Sequence, residues 1–586
     1  MWNEKPKIVI NHRIELFTWI LFGIFVFLFF NLWYLSVLQS GLYQEKSERN
    51  RIRMIPLQAP RGIITDRYGQ ILAQDVPRFA AVLLPGSADP EKSRQILEKT
   101  IKRKIEEPLR DRYSGEIILA SQMSIEEVAM VEETRKELPG VMIEAYPKRI
   151  YPPGEDIAHI VGYVGKINSE ELKKFGQTNY NNEDVVGKSG IELNYEEFLR
   201  GQKGYRKIEV DALGRIVRIL DTSFPRFRHT LTLTLDLELQ RYCNELLAGK
   251  SGVIIVGDPT NGELLAMANQ PSFEPNLLID GVSQDEWNEL IENPQNPLTT
   301  RSLQALYPPG SIFKLIVGLA AQEANIVSRE RTIFCPGYYE YNNRRYPCWR
   351  KAGHGRLNYE DALAQSCNVT FYTLGLELGQ DRIIDMARRL GFEEDTGIDL
   401  PGENHGFLPT SRWKRQKIGE PWYPGDTINL SIGQGYLLVT PFEIFQSVVA
   451  ISNRGVVYTP HFLKVVQNDK REVIERTLPK VKNRIELKPD IWERLIRGMT
   501  KVVVEGTGRA CRDLPIPIAG KTGTAQNPHG NDHSWFAGFF PIDNPRYVFV
   551  VLVENGGDGS GEAAHRSKDL IQWIYDHREN TLNENG

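Results

Sequence analysis

The sequence is poor in the features that would place it quickly. Its 586 residues include five cysteines, at 243, 335, 348, 367 and 511, with no Cys-x-x-Cys spacing and no His-Glu-x-x-His. A dithiol redox motif and a metalloprotease helix are therefore excluded. Positive charge is not in surplus: 71 Lys and Arg against 75 Asp and Glu give a net charge of −4, which removes the electrostatic footprint of a nucleic-acid binder. No low-complexity tract and no fixed-period repeat occur, so disordered arrays and solenoids drop out. Gly187-Lys188-Ser189 and Gly520-Lys521-Thr522 resemble the end of a phosphate loop, but the glycine required five residues earlier is Asn182 and Pro515. Nucleotide binding is set aside.

Charge is also missing from residues 16–44, and this absence is informative. Residues 16–38 read LFTWILFGIFVFLFFNLWYLSVL, long enough as a helix to cross a hydrocarbon layer of about 30 Å. Trp19, Trp33 and Tyr34 suit the interfaces. A cleaved signal peptide would have a shorter apolar core and a small-x-small site after it; SVLQSGLYQEKS offers none, so a retained anchor is expected. Basic residues stand on both sides (Lys5, Lys7, Arg13; Lys46, Arg49, Arg51, Arg53). The positive-inside count does not decide orientation, and the chemistry of the following domains must.

The rest has an ordinary globular mix, 41% apolar and 25% charged, and is long enough for two or three large units. The expected division is a tail over 1–15, the anchor over 16–38, a mixed domain over 39–225, a second domain over 226–577 and a polar, frayed tail over 578–586. Residues 59–73 predict strand, turn and strand. Residues 90–107 and 124–137 carry charged helical patterns, and 252–269 predict a hairpin turning at Pro-Thr-Asn-Gly.

Ser-x-x-Lys occurs twice, at Ser311–Lys314 and Ser411–Lys414. The second lies in SRWKRQK, a polar run for which a solvated surface is the expectation. The first follows a rigid Tyr-Pro-Pro-Gly turn and opens an apolar helix, SIFKLIVGLAAQEA. Serine and lysine three apart share a helical face. Burial disfavours the lysine's charge, which makes it a useful base. Two further elements follow in order: Ser366-Cys367-Asn368, the chain's only Ser-x-Asn, and Lys521-Thr522-Gly523-Thr524 after an apolar strand-like stretch. Each alone is more often an ordinary turn or strand. In this order they resemble the SxxK, SxN and KTG signature of penicillin-binding proteins and serine β-lactamases.

The resemblance extends over 258–276, 296–314, 353–358, 428–443 and 533–541, which are similar to transpeptidase-domain motifs. It also covers 61–73, 151–165 and 187–201, similar to pedestal motifs of class B penicillin-binding proteins. No room remains for a class A glycosyltransferase domain. FCPG, CWRKAGHGRLN and the N-terminal layout look most like the elongation-specific members of class B, with the septal members next. The resemblance implies an α/β (α+β) transpeptidase domain of the serine β-lactamase/penicillin-binding type, preceded by a mixed α+β pedestal and one transmembrane helix. The implied activity is that of a serine-type D-Ala-D-Ala transpeptidase/carboxypeptidase, cross-linking peptidoglycan stem peptides in elongation and rod-shape maintenance. It also implies roles: Ser311 as nucleophile, Lys314 as base, Ser366 as proton relay and Asn368 as substrate clamp. Lys521 would supply charge, Thr522, Gly523 and Thr524 the carboxylate-binding strand, and the N–H groups of Ser311 and Thr524 the oxyanion hole. The implied location is the bacterial inner membrane with the catalytic domain outside the cytoplasm. The implied partners are β-lactams as covalent inhibitors, a SEDS-family (RodA-like) glycan polymerase and a MreC-like scaffold, with no nucleic acid. The competing readings are a septal transpeptidase, a β-lactamase or β-lactam sensor, and a non-catalytic activator of a polymerase. The long pedestal argues against the lactamase and the intact triad against the activator.

Cysteine arithmetic adds one expectation. Cys335, Cys348, His354 and Cys367 run C-x12-C-x5-H-x12-C within 33 residues. Three thiolates and an imidazole match a closed tetrahedral site, so a structural zinc ion is expected there. The alternative is a Cys335–Cys348 disulfide with Cys367 as a small buried hydrophobe.

Overall fold

The computed structural model describes residues 7–41, 51–83, 88–105, 109–110, 117–176, 180–182, 184–210, 216–279, 282–328, 330–528 and 530–579. The chain divides into two units that alternate along the sequence. One comprises residues 1–60, 77–148 and 202–226, and the other 61–76, 149–201 and 227–586. Residues 61–76 and 149–201, which precede the boundary expected at 225/226, pack within the second unit.

In the first unit the apolar segment is a helix, Lys7–Trp33, extended by a π-helical stretch, Tyr34–Leu38. Ile14–Leu38, 25 residues, is long and apolar enough to cross a membrane, and none of its tested window is buried. The unit also holds a three-stranded antiparallel sheet in which Gly204–Val210 runs between Ile52–Leu57 and Ile216–Ser223. A separate core forms around Leu83, Leu97, Leu119 and Val131. Its two helices correspond to the charged patterns in the sequence. Pro90–Ile101 starts where the Asp89 carboxylate accepts the N–H groups of Glu91 and Lys92, and Ile125–Glu133 starts at a Ser124/Glu127 capping box.

The second unit is built on a five-stranded antiparallel sheet. Its order is Leu264–Gln270, Gly252–Gly257, Tyr547–Val553, His533–Phe540 and Ala519–Ala525. The expected hairpin is present, with Gly252 opposite Gln270. Its strands are apolar without a break because both faces are covered: Ile254, Val256, Phe549 and Val551 join one core, and Val253, Ile255, Val548 and Val550 join the other. Ala519–Ala525 is the edge strand, so one side of its backbone is left for other partners.

At the near end of the tail, Arg578 is not frayed: its guanidinium holds both Asp236 carboxylate oxygens at 2.7 and 3.0 Å. Residues 580–586 lie outside the described residues.

Buried charge explains why the early segments belong to this unit. Arg61 donates to Glu192 at 2.8 Å and to Glu196 at 2.7 Å, and Arg149 reaches Glu192 at 2.7 Å and Asp75 at 3.1 Å. All five side chains are nearly inaccessible. Burial alone would push the Glu192 carboxyl up, but Arg149 and Arg61 hold it below its usual value. Removing one partner of such a network leaves an uncompensated charge. Glu192→Ala should therefore lower stability by about 3 kcal/mol, read as a fall in the urea midpoint of the full chain in detergent. The depressed carboxyl contributes stability above the ordinary glutamate value and loses it as pH falls. The gap between variant and wild type should shrink below pH 4.5; a gap that is constant or grows in acid would contradict the assignment.

Candidate active site

Ser311 sits in a short 3-10 turn, Gly310–Phe313, that runs directly into the helix Lys314–Glu323. Gly310 adopts φ +53°, and a Cβ there would lie 2.4 Å from the Thr524 carbonyl oxygen. Gly433 (φ +72°) approaches Gly310 in the same way, with its would-be Cβ 2.1 Å from the Gly310 oxygen. Backbone therefore lies directly on backbone where the serine turn, residue 433 and the edge strand meet. Gly523 faces the same turn: its Cβ would fall 2.9 Å from Ile312 and 3.0 Å from the Pro309 oxygen. Among the described residues the half-buried Ser311 hydroxyl makes no hydrogen bond.

Lys314 is completely buried. Its Nζ donates to the Ser366 carbonyl oxygen at 2.8 Å, to Ser366 Oγ at 3.2 Å and to Asn368 Oδ1 at 2.7 Å. Lys521, also completely buried, donates from the edge strand to the same Ser366 Oγ at 3.0 Å and to the Thr522 carbonyl at 2.8 Å. One hydroxyl thus stands between two amines. Ser366 reaches this position in the left-handed region, φ +51°, a strained conformation for serine that the surrounding contacts hold. Asn368 is the first residue of the next helix, Asn368–Leu378.

Burial pushes Lys314 down to about 8, although the Cys367 and Cys348 sulfurs oppose this. Burial, and then repulsion from Lys314, pushes Lys521 well below the ordinary lysine value. Both amines are therefore biased towards the neutral form, and the pair resists carrying two charges.

The three motifs border one cleft of about 1010 Å³, which Ser311, Ser366, Asn368, Thr522 and Thr524 all line. Thr522 shares a 2.5 Å hydrogen bond with the Thr507 hydroxyl. The Thr524 hydroxyl donates to Asp558 Oδ1 at 3.3 Å and accepts the Gly559 N–H at 3.1 Å, while Gln434 Nε2 donates to the Thr524 carbonyl at 3.4 Å. Thr507, Asp558 and Gln434 were not singled out from sequence. Gly-Thr-Gly at 506–508 was the available signal for Thr507, but so short a run has many chance counterparts.

Ser411 and Lys414 lie apart from these residues. The run is the expected solvated surface at Ser411, Arg412, Arg415, Gln416 and Lys417, and Lys414 is the exception: it is nearly inaccessible and ion-paired to Asp426 at 2.6 Å. Burial opposes its charge, but Asp426 raises the amine. A cation held in this way is not a base.

The zinc expectation is corrected. The ligand atoms of Cys335, Cys348, His354 and Cys367 do converge, all within 4.8 Å of one another. Their own hydrogen bonds and packing account for this. Both Cys335 and Cys348 sulfurs meet His354 Nδ1, at 3.5 and 3.6 Å, and the thiols share an apolar cluster with Ala362 and Val369. A hydrogen bond from Cys367 first, and then from His354, holds the Cys348 thiol low, and Cys367 is raised in turn. Convergence of this kind is weak support for an ion, and acyl transfer by a serine nucleophile and a lysine base needs no metal. The alternative disulfide is not formed either, since all five cysteines are free.

Comparison with known proteins agrees with this geometry. Residues 252–572 match the family model for the penicillin binding protein transpeptidase domain, and residues 56–229 that for the penicillin-binding protein dimerisation domain. The chain is 34% identical to the peptidoglycan D,D-transpeptidase MrdA of Haemophilus influenzae, over 94% of this chain and 89% of that one. It is similar to a structure of the penicillin-binding protein PBP2 with MreC from Helicobacter pylori, with TM-score 0.78 and 30% identity, covering 90% of this chain and 99% of that one. A structure of a peptidoglycan synthase complex coordinating polymerization and crosslinking also matches, with TM-score 0.74 and 30% identity, covering 97% and 99%.

Proposed function

The chain belongs to the penicillin-binding protein transpeptidase family, and from that premise we propose a peptidoglycan D,D-transpeptidase of the elongation type that works through an acyl-enzyme on Ser311. The carrying observation is the Ser366 hydroxyl, met by Lys314 from the serine helix and by Lys521 from the edge strand. Residues more than fifty and more than one hundred and fifty positions apart in sequence thereby form one proton-handling unit beside an open cleft.

The reaction follows from that unit. Neutral Lys314 takes the proton of Ser311 Oγ, which attacks the penultimate D-alanine carbonyl of a stem peptide. The N–H groups of Ser311 and Thr524 receive the developing oxyanion. The C–N bond breaks, and a proton returned through Ser366 leaves with the D-alanine amine. The resulting ester is attacked by an amine of a neighbouring stem, which gives up its proton to the same lysine as Ser311 is released. Water in place of the amine gives the carboxypeptidase side reaction. Thr522 and Thr524 bind the terminal carboxylate of the donor by their hydroxyls, and Asn368 holds its backbone.

The substrate lies outside the cytoplasm, which supplies the orientation that flanking charge leaves open: the apolar helix anchors the chain in the inner membrane with its catalytic unit outside. A MreC-like scaffold and a SEDS-family polymerase are partners of the kind seen or implied in the related assemblies.

Three measurements test this. Intact mass after penicillin treatment should show one stable adduct that Ser311→Ala abolishes and Ser411→Ala does not; labelling that survives Ser311→Ala would sink the mechanism. The acylation rate should rise with pH, reach half its limit near 8 and level off above that, as Lys314 loses its proton. Lys314→Arg, which stays charged, should abolish acylation at every pH, and a flat profile in the wild type would rule out lysine as base. External protease on spheroplasts should digest the chain beyond Tyr43 and spare its first dozen residues; protection of the large C-terminal part would refute the topology.

A further inference from the structure

The cleft must hold an anionic peptide, yet the charges on its walls are poorly arranged for that. Its two lysines lie at the back, fully buried and biased towards neutrality. Beside Thr522 and Thr524 the wall carries Glu505, Asp532 and Asp558. Glu505 is 3.5 Å from Lys501, and Asp558 is occupied by the Thr524 hydroxyl and, at 3.0 Å, by the Ser560 N–H. Against these stands one exposed guanidinium, Arg509, which lines the same cleft. Among the described residues it makes no hydrogen bond and no ion pair.

Arg509 is presented by a tightly fixed turn. The helix Pro489–Val504 ends just before it. A Cβ on Gly506 would lie 2.2 Å from the Ala364 oxygen. Thr507 N–H donates to that oxygen at 3.2 Å, and Gly508 N–H donates to Val502 at 2.9 Å. Thr507, two residues before the arginine, carries the hydroxyl bonded to Thr522 at 2.5 Å. Beyond it, Cys511 is buried and closes the turn Arg509–Cys511. A guanidinium offers a rigid two-pronged donor that matches a carboxylate. The backbone that carries Arg509 is thus anchored to the residues that flank the edge strand, while its side chain is unengaged.

We propose that Arg509 is a specificity-determining residue that pairs with a carboxylate of the donor stem peptide, and that Thr507 is a positioning residue that orients the Thr522 hydroxyl towards the same group. The inference rests on the acyl-transfer reading of this cleft. It assigns the permanent positive charge of carboxylate recognition to Arg509 rather than to Lys521, which leaves Lys521 free to handle protons with Ser366.

The test uses the full chain in detergent and two reagents that differ in one charge, benzylpenicillin and its methyl ester. Arg509→Gln should slow acylation by the acid about five- to tenfold, the size of an exposed charge-assisted hydrogen bond, and leave the ester unchanged. Arg509→Lys should recover part of the loss. Thr507→Val should lower the same acid-to-ester ratio, and Thr507→Ser should restore it. A second pair, a stem peptide with free side-chain carboxylates and its amidated counterpart, separates the two sources of carboxylate. Loss with penicillin assigns the terminal carboxylate. Loss confined to the non-amidated peptide assigns a side-chain carboxylate. Equal slowing of acid and ester would mean a structural role, and no change with any reagent would mean no role; either overturns the proposal. Failure of the wild type to form any penicillin adduct would remove the acyl-transfer reading and this inference with it.

Discussion

Everything in the catalytic unit depends on one hydroxyl group shared by two buried amines. An isolated buried ammonium is costly, and two within reach of one oxygen repel each other as well. The arrangement is tolerable only if the pair avoids carrying two charges at once and its N–H groups have acceptors. Lys314 meets the second need with the Ser366 carbonyl and Asn368, and Lys521 with the Thr522 carbonyl. A lysine whose charge is disfavoured in this way gives up its proton more readily and can serve as a base, so the electrostatic constraint that shapes the interior also defines the chemistry.

The rest of the second unit holds that oxygen in place. Ser366 adopts a left-handed backbone, and such strain persists only where neighbours over-determine it. Those neighbours include the helix Tyr359–Ala364, the helix Asn368–Leu378 and the thiol–imidazole cluster around Cys367. The sheet provides the other half. Its edge strand brings Lys521 in from a region remote in sequence, and the two cores on its faces keep the strand straight and buried.

Sequence carried different parts of this with different clarity. The anchor was legible because an uncharged run of that length has few other uses. The hairpin at 252–270 was legible because its turn chemistry and apolar strands agree. The order of SxxK, SxN and KTG was legible as a set, though none of the three was specific alone. Distance in three dimensions was not legible. Arg61 and Glu192 lie 131 positions apart, so nothing local indicates that 61–76 and 149–201 pack within the catalytic unit. Lys414 looked like a surface residue in a polar run, and its partner Asp426 is too far along the chain for helical spacing to reveal it. The cysteine pattern misled for a related reason. Spacing can bring four ligands together without saying whether an ion or their own hydrogen bonds hold them. Thr507 and Arg509 were invisible because a Gly-Thr-Gly-Arg turn acquires meaning only once Thr522 is seen beside it.

The glycine contacts around the serine turn have a consequence for how this protein can change over generations. The carbonyl of Thr524 occupies the place of a side chain at Gly310, and the carbonyl of Gly310 occupies that place at Gly433. The serine turn is thus locked between the edge strand and residue 433 so closely that no side chain fits on either side of Gly310. A drug resembling the substrate therefore binds in a frame that single substitutions cannot widen without displacing the nucleophile. Heritable escape from such a drug has to come from the side chains that rim the cleft, where natural variation among relatives should concentrate and the frame itself should stay fixed.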